Sequence, residues 1–593
     1  MKYRRAPWRA ATAILAQVLL TGVMTSAATY HTATHGSDSN PGTSELPWLT
    51  LRKGAQTCQP GDTLIVAEGT YRERVSSVRG GRDENSRITF RATGKVVMNG
   101  WRINHPFISV EGFDIVGASS SSILDAYVRV DKEGDRFNLL RCEIRDAVQL
   151  VRTNIFFDAA TRRILSPSGG FLEAGFAVSN FVSVYQTALR ENISGANSKS
   201  LFVSEVADDA LTVTNVVTDQ GPLKAYVTAN HVYGIFLDAG THGALIQGCT
   251  FKNLGLDAWF IFGTNHVIEG NMVEQMNGWD VMHFGGTGHL FRRNVIRNSP
   301  LVVHEVSPDA VENFSPNPYN QVIFKNNIIH DFEGVLAAQK GGGHSSNLWF
   351  LRNVVADIGW LSLSHPATRL ENNTFLRAAK VANPVVAVAR HPITLLVSDP
   401  APPGAPDARD SVLRNNAFVD CGETTSATRP DQVGWYEIKG APESIVAEGN
   451  FAAGGPPGYL PKADWPESQD LNGGDPRFSD PANLVGPDGI PFTADDGLRP
   501  SLDSLLVGAG IAGRTVGAYE PRPAVSPRLD LERADGRRLR FSWPDGPHDW
   551  TLETANSPQG PWHGCPAWPT VADGKVSVSL DASDARSFFR LAE

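Results

Sequence analysis

Several absences limit what this 593-residue chain can be. A membrane-spanning helix needs roughly 20 apolar residues, but the run at residues 10–23 is shorter and no later segment is apolar enough. The formal net charge is -10, and the lysines and arginines are scattered along the sequence, which argues against electrostatic binding of nucleic acid. Five cysteines without a CxxC pair indicate neither a zinc site nor a disulfide framework. Only six methionines, two of them in the first 28 residues, argue against a copper-handling protein.

The first 28 residues have the pattern of an export signal. Residues 1–9 are basic, residues 10–23 are apolar, and the small residues Ser26, Ala27 and Ala28 follow. This is the order of regions in a secretory signal peptide. We therefore expect residues 1–28 to be removed and the mature protein to be secreted, periplasmic or held at the cell surface.

From about Tyr233 onwards the sequence repeats with a period near 23 residues. Each repeat has a short apolar strand that ends near glycine and a second strand that ends in asparagine, and the anchors Asn271 and Asn294 lie 23 residues apart. Several short strands per period, without a helical pattern, predict a β-solenoid.

The recurring asparagine suits a tight bend between strands, because asparagine tolerates the left-handed conformation. Stacked coils would align these side chains, so we expect their amides to hydrogen-bond along the stack. Cys142 and Cys249 take the asparagine place in their own coils. This position favours buried structural thiols over reactive ones.

More specific motifs lie towards both ends of the repeat region. They are TYHTATHGSDSNPGT at 29–43, PW at 47–48, QPGD at 59–62, GTYRERV at 69–75, GDPRF at 474–478, GAG at 508–510 and GAYE at 517–520. In these motifs the sequence resembles that of secreted right-handed parallel β-helix proteins of the pectate-lyase-like superfamily with a DUF1565-type N-terminal segment. The resemblance implies this fold and a function that involves carbohydrates. It carries no catalytic motif, because members include lyases, glycosidases, epimerases and proteins of no known activity.

The repeat is interrupted once and ends before the C-terminus. Between Arg145 and Ala229 the sequence alternates as in antiparallel strands, which predicts a β-rich insertion at about 147–229 that forms a wall or lid. After residue 523 the composition changes to alternating strands with four tryptophans. We therefore predict an all-β chain with a signal peptide at 1–28, a right-handed parallel β-helix at 29–522 and a small C-terminal β-sandwich at 523–593. Its tryptophans either stack on sugar rings or form its core, which is the commoner position.

Polar side chains interrupt the apolar strands in the middle of the repeat region. Each strand position lies about 4.8 Å from its copy in the next coil, so residues distant in sequence form columns. Counting from the asparagine anchors aligns Asp257 with Asp280 and Phe260 with His283. The same count puts Asp238 in the column of Phe260, unless its turn is longer.

Two chemistries fit these columns. Asp257 and Asp280, about 5 Å apart, suit the acid and the nucleophile of a retaining glycosidase, although each could instead begin its strand by bonding a turn amide. A lyase needs a base and a positive partner for the uronate carboxylate. The base would be Lys340 with calcium on the two aspartates, or a histidine with Arg292 or Arg293 neutralising the substrate.

The predicted site residues follow from these alternatives. The candidate catalytic residues are Asp257, Asp280, His283, His304, Glu305 and Lys340. The candidate substrate-binding residues are Asp238, Trp259, Arg292, His344 and His365, and the candidate calcium ligands are Asp257 and Asp280.

The sequence thus predicts a monomeric, secreted carbohydrate-active enzyme, a lyase or a glycoside hydrolase, with a polysaccharide groove along the coils. The alternative is a non-catalytic carbohydrate-binding or cell-surface protein that uses the solenoid as a rigid platform. A concave groove that converges on the candidate residues favours the enzyme, and a flat face with exposed aromatic rings favours the platform.

Overall fold

The computed structural model describes residues 27–117, 125–186, 193–198, 200–229, 232–276, 280–297, 311–313, 318–331, 337–339, 345–358, 361–378, 393–396, 407–421, 436–439, 444–454, 471–521, 527–533, 538–545, 550–555, 557–558, 562–565, 569–581 and 588–592. The predicted signal peptide lies almost entirely outside the described residues.

Three parallel sheets surround one apolar core, and successive coils add a short strand to each sheet. The first sheet contains Thr29–Thr32, Thr63–Ser76, Ile88–Ile103, Ile108–Val116, Asn138–Leu140, Leu245–Gln247, Val267–Glu269, Leu290–Arg292, Tyr319–Lys325, Ser346–Leu351, Arg369–Glu371, Val412–Arg414 and Val446–Glu448. The second contains Glu143–Arg145, Thr250–Lys252, Met272–Glu274, Val295–Arg297, Ile328–His330, Val354–Ala356, Thr374–Leu376, Ala417–Val419, Phe451–Ala453 and Leu471–Asn472. The third contains Asp125–Val130, Val232–Leu237, Trp259–Ile261, Met282–Phe284, Val311–Asn313, Ala337–Gln339, Leu361–Leu363, Ile393–Leu396 and Tyr436–Lys439.

The long early strands bend from the first sheet into the other two, and the short strand Gly286–Thr287 pairs beside the first sheet. The architecture is the predicted right-handed parallel β-helix. Its described helices are short: Leu51–Thr57 and Gly195–Ser198 are α-helical, and Glu84–Ser86 and Ile511–Gly513 are 3-10 turns. Among the described residues, no helix is long and apolar enough to cross a bilayer.

A buried amide ladder fixes how the coils stack. In each step the side-chain amide of one asparagine donates to the Oδ1 of the next at 2.9–3.0 Å. The same Oδ1 also accepts the backbone N–H of the first asparagine. The second amide hydrogen of each goes to a backbone carbonyl. The predicted ladder is confirmed, and its members are Asn271, Asn294, Asn327, Asn353, Asn373, Asn416 and Asn450.

The expected reason for asparagine at this place was wrong. The left-handed residue is the one before each ladder asparagine, for example Arg293 (φ 53°) before Asn294 and Asn326 (φ 54°) before Asn327. Asparagine is therefore required for its hydrogen bonds rather than for its backbone freedom.

The two cysteines that take the asparagine place continue this column. The Cys249 N–H donates to Asn271 Oδ1 at 2.9 Å, and the Cys142 N–H lies 3.4 Å from Cys249 Sγ. Burial raises the pKa of the Cys249 thiol. All five cysteines of the chain are buried free thiols, which confirms the expected structural role of these two.

A second buried column is made of histidines. The rings of His266 and His289 stack at 5.0 Å, nearly parallel. Each Nε2–H donates to a backbone carbonyl at 2.7 Å, and each Nδ1 accepts a backbone N–H, so both imidazoles are neutral. Burial lowers the pKa of both, that of His289 to about 4.

Two further units carry antiparallel strands. A closed six-stranded barrel with its own apolar core interrupts the β-helix; its strands are Gln149–Asp158, Arg163–Leu165, Phe181–Gln186, Leu201–Val206, Ala210–Val213 and Gln220–Ala229. The C-terminal unit is the predicted β-sandwich. One of its sheets contains Asp530–Arg533, Arg538–Pro544, Thr570–Ala572 and Lys575–Asp581, and the other contains Thr551–Ala555, His563–Gly564 and Phe588–Ala592.

Replacing Asn327 by alanine should destabilise the β-helix, because its neighbours Asn294 and Asn353 then lose buried partners. An unsatisfied buried polar group costs about 1–3 kcal/mol, so we expect a loss of about 2–5 kcal/mol in urea unfolding followed by circular dichroism. The exposed Asn85→Ala is the control and should change stability by less than about 0.5 kcal/mol. Equal stability of the two variants would contradict the role of the ladder.

Stability should fall as the pH drops from 6.5 towards 4. In this range the unfolded chain binds a proton at His289 and the folded chain does not, because the folded pKa is about 4 and the unfolded pKa is about 6.5. The part of the loss that comes from His289 should reach about 3 kcal/mol near pH 4 and then level off. His266, whose pKa burial also lowers, adds to the fall. Unfolding free energies at pH 7 and 4.5 should differ less in His289→Gln than in the wild type, whereas the exposed His35→Gln should keep the full difference. An unchanged difference in His289→Gln would exclude this linkage.

Candidate functional site

Two columns of side chains meet on the outer side of the third sheet. Strand register aligns Ile235, Trp259 and Met282, so the residues two places earlier, Tyr233, Asp257 and Asp280, form one column. The second column runs in register through Arg129, Phe236, Phe260 and His283. The predicted alignments of Asp257 with Asp280 and of Phe260 with His283 are confirmed.

The two columns converge on His283. Its Nδ1 lies 2.5 Å from Asp257 Oδ2, and its Nε2 lies 3.5 Å from Asp280 Oδ2. The side chains of Asp257, Asp280 and His283 are 1%, 8% and 12% exposed, respectively. Of the three, the imidazole is the most accessible, and the Asp257 carboxylate fixes its orientation. This arrangement of a base held by a buried carboxylate suits general acid–base chemistry.

Aromatic rings form an apolar wall beside this cluster. The ring of Phe260 lies 5.6 Å from the imidazole of His283, 5.2 Å from Phe236 and 4.3 Å from Tyr233. Burial raises the pKa of Tyr233, and the charges of Asp257 and Asp280 raise it further, so its phenol stays protonated. The Arg129 guanidinium lies 4.4 Å from the Phe236 ring, which gives the wall a cationic end.

The inserted barrel is anchored next to the cluster. Its Tyr226 hydroxyl donates to Gln149, and the Gln149 amide donates to Asn253 on the coil that carries Asp257. Gly255 permits this contact, because a Cβ at this position would lie 2.7 Å from Thr228 Oγ1. The barrel therefore borders the site from one side, as a wall of a groove would.

The other predicted site residues do not join the cluster. Asp238 is not in the column of Phe260, because Phe236 occupies that place; its carboxylate instead bonds the Gly240 N–H in a turn. Trp259 points inward and is fully buried, so its prediction as a ligand-binding residue was wrong. His365 is also buried, with its Nδ1 3.0 Å from the Tyr319 hydroxyl. His304, Glu305, Lys340 and His344 lie outside the described residues.

Arg292 was predicted to neutralise a substrate, but the structure gives it another role. It is fully buried and pairs with Glu269 of the β-helix and with Glu553 of the C-terminal sandwich. Burial alone would raise the pKa of Glu553, but the charges of Arg292 and Arg590 outweigh it and lower that pKa. Arg292 thus joins the two units, and the neighbouring Arg293 lies beside this ion pair.

Sequence reasoning missed Tyr233, Phe236 and Arg129. Tyr233 could have been found, because it precedes Asp257 by 24 residues, close to the repeat period. Arg129 could not, because the whole barrel separates it from the next coil of its column.

Of three comparisons with known proteins, only the comparison with solved structures found matches. No protein-family model matches the chain, and no curated protein matches it significantly. It is similar to a rhamnogalacturonan lyase (12% identity, 80% of this chain and 97% of that chain, TM-score 0.42) and to the pectate lyase Pel9A (12%, 84% and 96%, 0.40). It is also similar to the alginate lyase AlyF-OU02 in complex with G6 (10%, 71% and 80%, 0.39). At these identities and TM-scores the likeness assigns no activity to this chain, and the DUF1565-type segment stays a prediction.

Replacing Arg292 by methionine should loosen the C-terminal sandwich from the β-helix. The change leaves two buried carboxylates, Glu269 and Glu553, without the cation between them, and breaking a buried ion pair costs about 3–5 kcal/mol. We expect faster proteolytic release of the sandwich, measured by mass spectrometry of timed digests. The control is Arg297→Met, which removes a surface ion pair with Glu274 and should leave the rate unchanged. Equal release rates would show that the ion pair does not hold the two units together.

Proposed function

We propose that this protein is an extracytoplasmic enzyme that cleaves a polysaccharide bound along the outer face of the third sheet. The observation that carries the proposal is the hydrogen bond between Asp257 and His283, with Asp280 at the other imidazole nitrogen. A base whose orientation is set by a buried carboxylate is a recurrent catalytic arrangement.

The spacing of the side chains on this face suits a linear polymer. Its column from Arg129 through Phe236 and Phe260 to His283 presents one side chain per coil, at a spacing of about 4.8 Å. Successive sugar units of a chain lying along the column would meet a cation, two aromatic rings and then the imidazole. Phe236 stacks on Phe260 and lies under Arg129, so the two rings would give a sugar an apolar contact beside their stack rather than a free ring face. A guanidinium pairs with carboxylates.

The geometry favours elimination over double-displacement hydrolysis. A retaining glycosidase needs one carboxylate free to attack the sugar, but Asp257 is 1% exposed and is bonded to His283. Elimination needs a base that takes the proton from the carbon bearing the uronate carboxylate, while the glycosidic C–O bond on the adjacent carbon breaks and the leaving oxygen takes up a proton from solvent. His283 suits that step, because it is the most accessible group of the cluster and Asp257 stabilises its protonated form.

Calcium fits this cluster poorly. Calcium takes six to eight oxygen ligands, whereas the donors here are two carboxylates and an imidazole. No step of the proposed reaction therefore uses calcium.

Replacing His283 by alanine should abolish cleavage. General acid–base catalysis contributes about 100- to 10,000-fold, so we expect at least about a 100-fold loss in His283→Ala and a comparable loss in Asp257→Asn, which loses the orienting charge. The assay is a panel of acidic and neutral polysaccharides, followed by new reducing ends and by ultraviolet absorbance from unsaturated uronates. The control is His330→Ala, which removes another histidine paired with an aspartate, Asp331, on the second sheet.

The outcomes separate the alternatives. Reducing ends with absorbance, lost in His283→Ala and retained with a chelator, support the elimination. Reducing ends without absorbance that depend on Asp280 would support the paired-carboxylate hydrolase instead. Binding without cleavage across the panel would overturn the enzyme in favour of the rigid platform.

A further inference from the structure

Two adjacent coils carry cysteine at the place where the later coils carry asparagine. Cys142 and Cys249 are aligned, because the residues that follow them, Glu143 and Thr250, pair in register, as do the strands that precede them. Neighbouring parallel strands lie about 4.8 Å apart, and the Cα atoms of a disulfide lie about 4.4–6.8 Å apart. The spacing of the two coils therefore suits a bridge between these cysteines.

Both thiols lie inside the β-helix. Cys142 and Cys249 are 2% and 1% exposed, and both belong to its apolar core. Cys249 Sγ lies 3.4 Å from the backbone nitrogen of Cys142, so it already reaches the coil of the other cysteine. The Cys142 thiol also adds to the effect of burial in raising the pKa of the Cys249 thiol. The two side chains are thus neighbours in one stack.

The amide ladder stops at this step of the stack. Asn271 Oδ1 accepts the N–H of Cys249, but from Cys249 to Cys142 the stacked side chains are thiols, which hydrogen-bond only weakly. This is also the step at which the chain leaves the β-helix, because the two cysteines are 107 residues apart and the whole barrel lies between them. A covalent bond here would take the place of the amide pair found at later steps.

The other three cysteines lie in separate regions. Cys58 lies near the start of the β-helix, Cys421 follows a late strand of the second sheet, and Cys565 lies in the C-terminal sandwich. The fold therefore brings Cys142 and Cys249 together. Their spacing in the sequence does not reveal this, because the barrel breaks the repeat period between them.

We propose that the exported protein carries a disulfide between Cys142 and Cys249, which closes the base of the inserted barrel. The structure holds the pair in its reduced form. The proposal rests on the extracytoplasmic location in the proposed function, because disulfides persist in oxidising compartments. The bond forms by thiol–disulfide exchange. The two thiols lose two protons and two electrons as the Sγ–Sγ bond forms, and a disulfide oxidant of that compartment takes up both and becomes two thiols.

Burial sets the order of events. Exchange needs an accessible thiolate, whereas both cysteines are buried in the folded protein and the pKa of Cys249 is raised. The bridge therefore forms while the coils are still open during folding, and their closure shields it from reductants.

The bridge also steadies the barrel beside the candidate site. It ties together the two coils between which the barrel is inserted, and the second of them carries Asn253, which holds the barrel through Gln149. That coil continues to Asp257. Because the closed loop is long, the bridge removes much conformational freedom from the unfolded chain.

Peptide mapping of the full chain tests the bridge. The protein is exported to the periplasm of a bacterial host behind a signal peptide of that host, alkylated with N-ethylmaleimide in urea without reductant, and digested with trypsin. We expect residues 142–145 to be joined to residues 225–252, with a mass two hydrogen atoms below the sum of the two thiol peptides. Reduction with dithiothreitol should separate them. Cys58 is the internal control and should be alkylated in both samples.

Urea unfolding adds an independent test. The oxidised wild type should have a higher unfolding midpoint than the same protein in dithiothreitol, and the double variant Cys142→Ala/Cys249→Ala should have a midpoint that the reductant does not move. Cys58→Ala, which removes another buried thiol, should keep the wild-type difference.

The map needs no substrate, so its result is independent of whether the protein cleaves a polysaccharide. Alkylation of both Cys142 and Cys249 in the exported wild type would overturn the proposal. Linkage of either one to a different cysteine would overturn it as well.

Discussion

The in-register stacking of the coils is the constraint on which every other feature depends. Seven asparagines fix that register because each amide and each Oδ1 has its partners only when neighbouring coils align. A slip by one residue would leave these buried groups unpaired and turn each strand's inward side chains outward. The columns on the outer faces follow from the same register. The imidazole of His283 meets Asp257, 26 residues earlier, because the ladder at Asn271 and Asn294 has already set the distance between their coils.

The part of the site that the sequence could predict is the part governed by the repeat. Asp257, Asp280 and His283 lie in coils of equal length, so counting from the anchors aligned them correctly. Asp238 was misplaced because five residues separate Ile261 from Val267, whereas seven separate Leu237 from Leu245, so its coil is two residues longer. The prediction for Trp259 failed for a different reason. Side chains alternate along the strand Trp259–Ile261, so Trp259 and Ile261 point inward and Phe260 points outward. Period alone locates a coil, but turn length and strand parity decide which side chain reaches solvent.

Contacts between units could not be predicted from any local pattern. Arg292 and Glu553 are 261 residues apart, and the spacing of neither residue carries information about the other. An exposed arginine on a repeat and an arginine buried in an ion pair look the same in sequence. The charge of Arg292 therefore suggested a substrate partner, while the structure uses it to hold the sandwich. Burial of an unpaired carboxylate is costly, so the contact fixes the sandwich over the first sheet.

The insertion and the sandwich attach where they shape different faces of a rigid support. The barrel leaves the β-helix after Glu143–Arg145 of the second sheet and returns at Val232–Leu237 of the third, so its base borders the coil that carries Asp257. The sandwich instead covers the first sheet, whose outer columns carry Trp349 and Arg369. A stacked solenoid permits this division, because each coil contacts only its neighbours and an outgrowth at one corner leaves the others in register. Side chains that act together in binding or in a reaction must be held within about 0.5 Å of their working geometry. The amide ladder supplies that rigidity. The inserted barrel and the C-terminal sandwich make the surroundings of the third sheet different from those of the first.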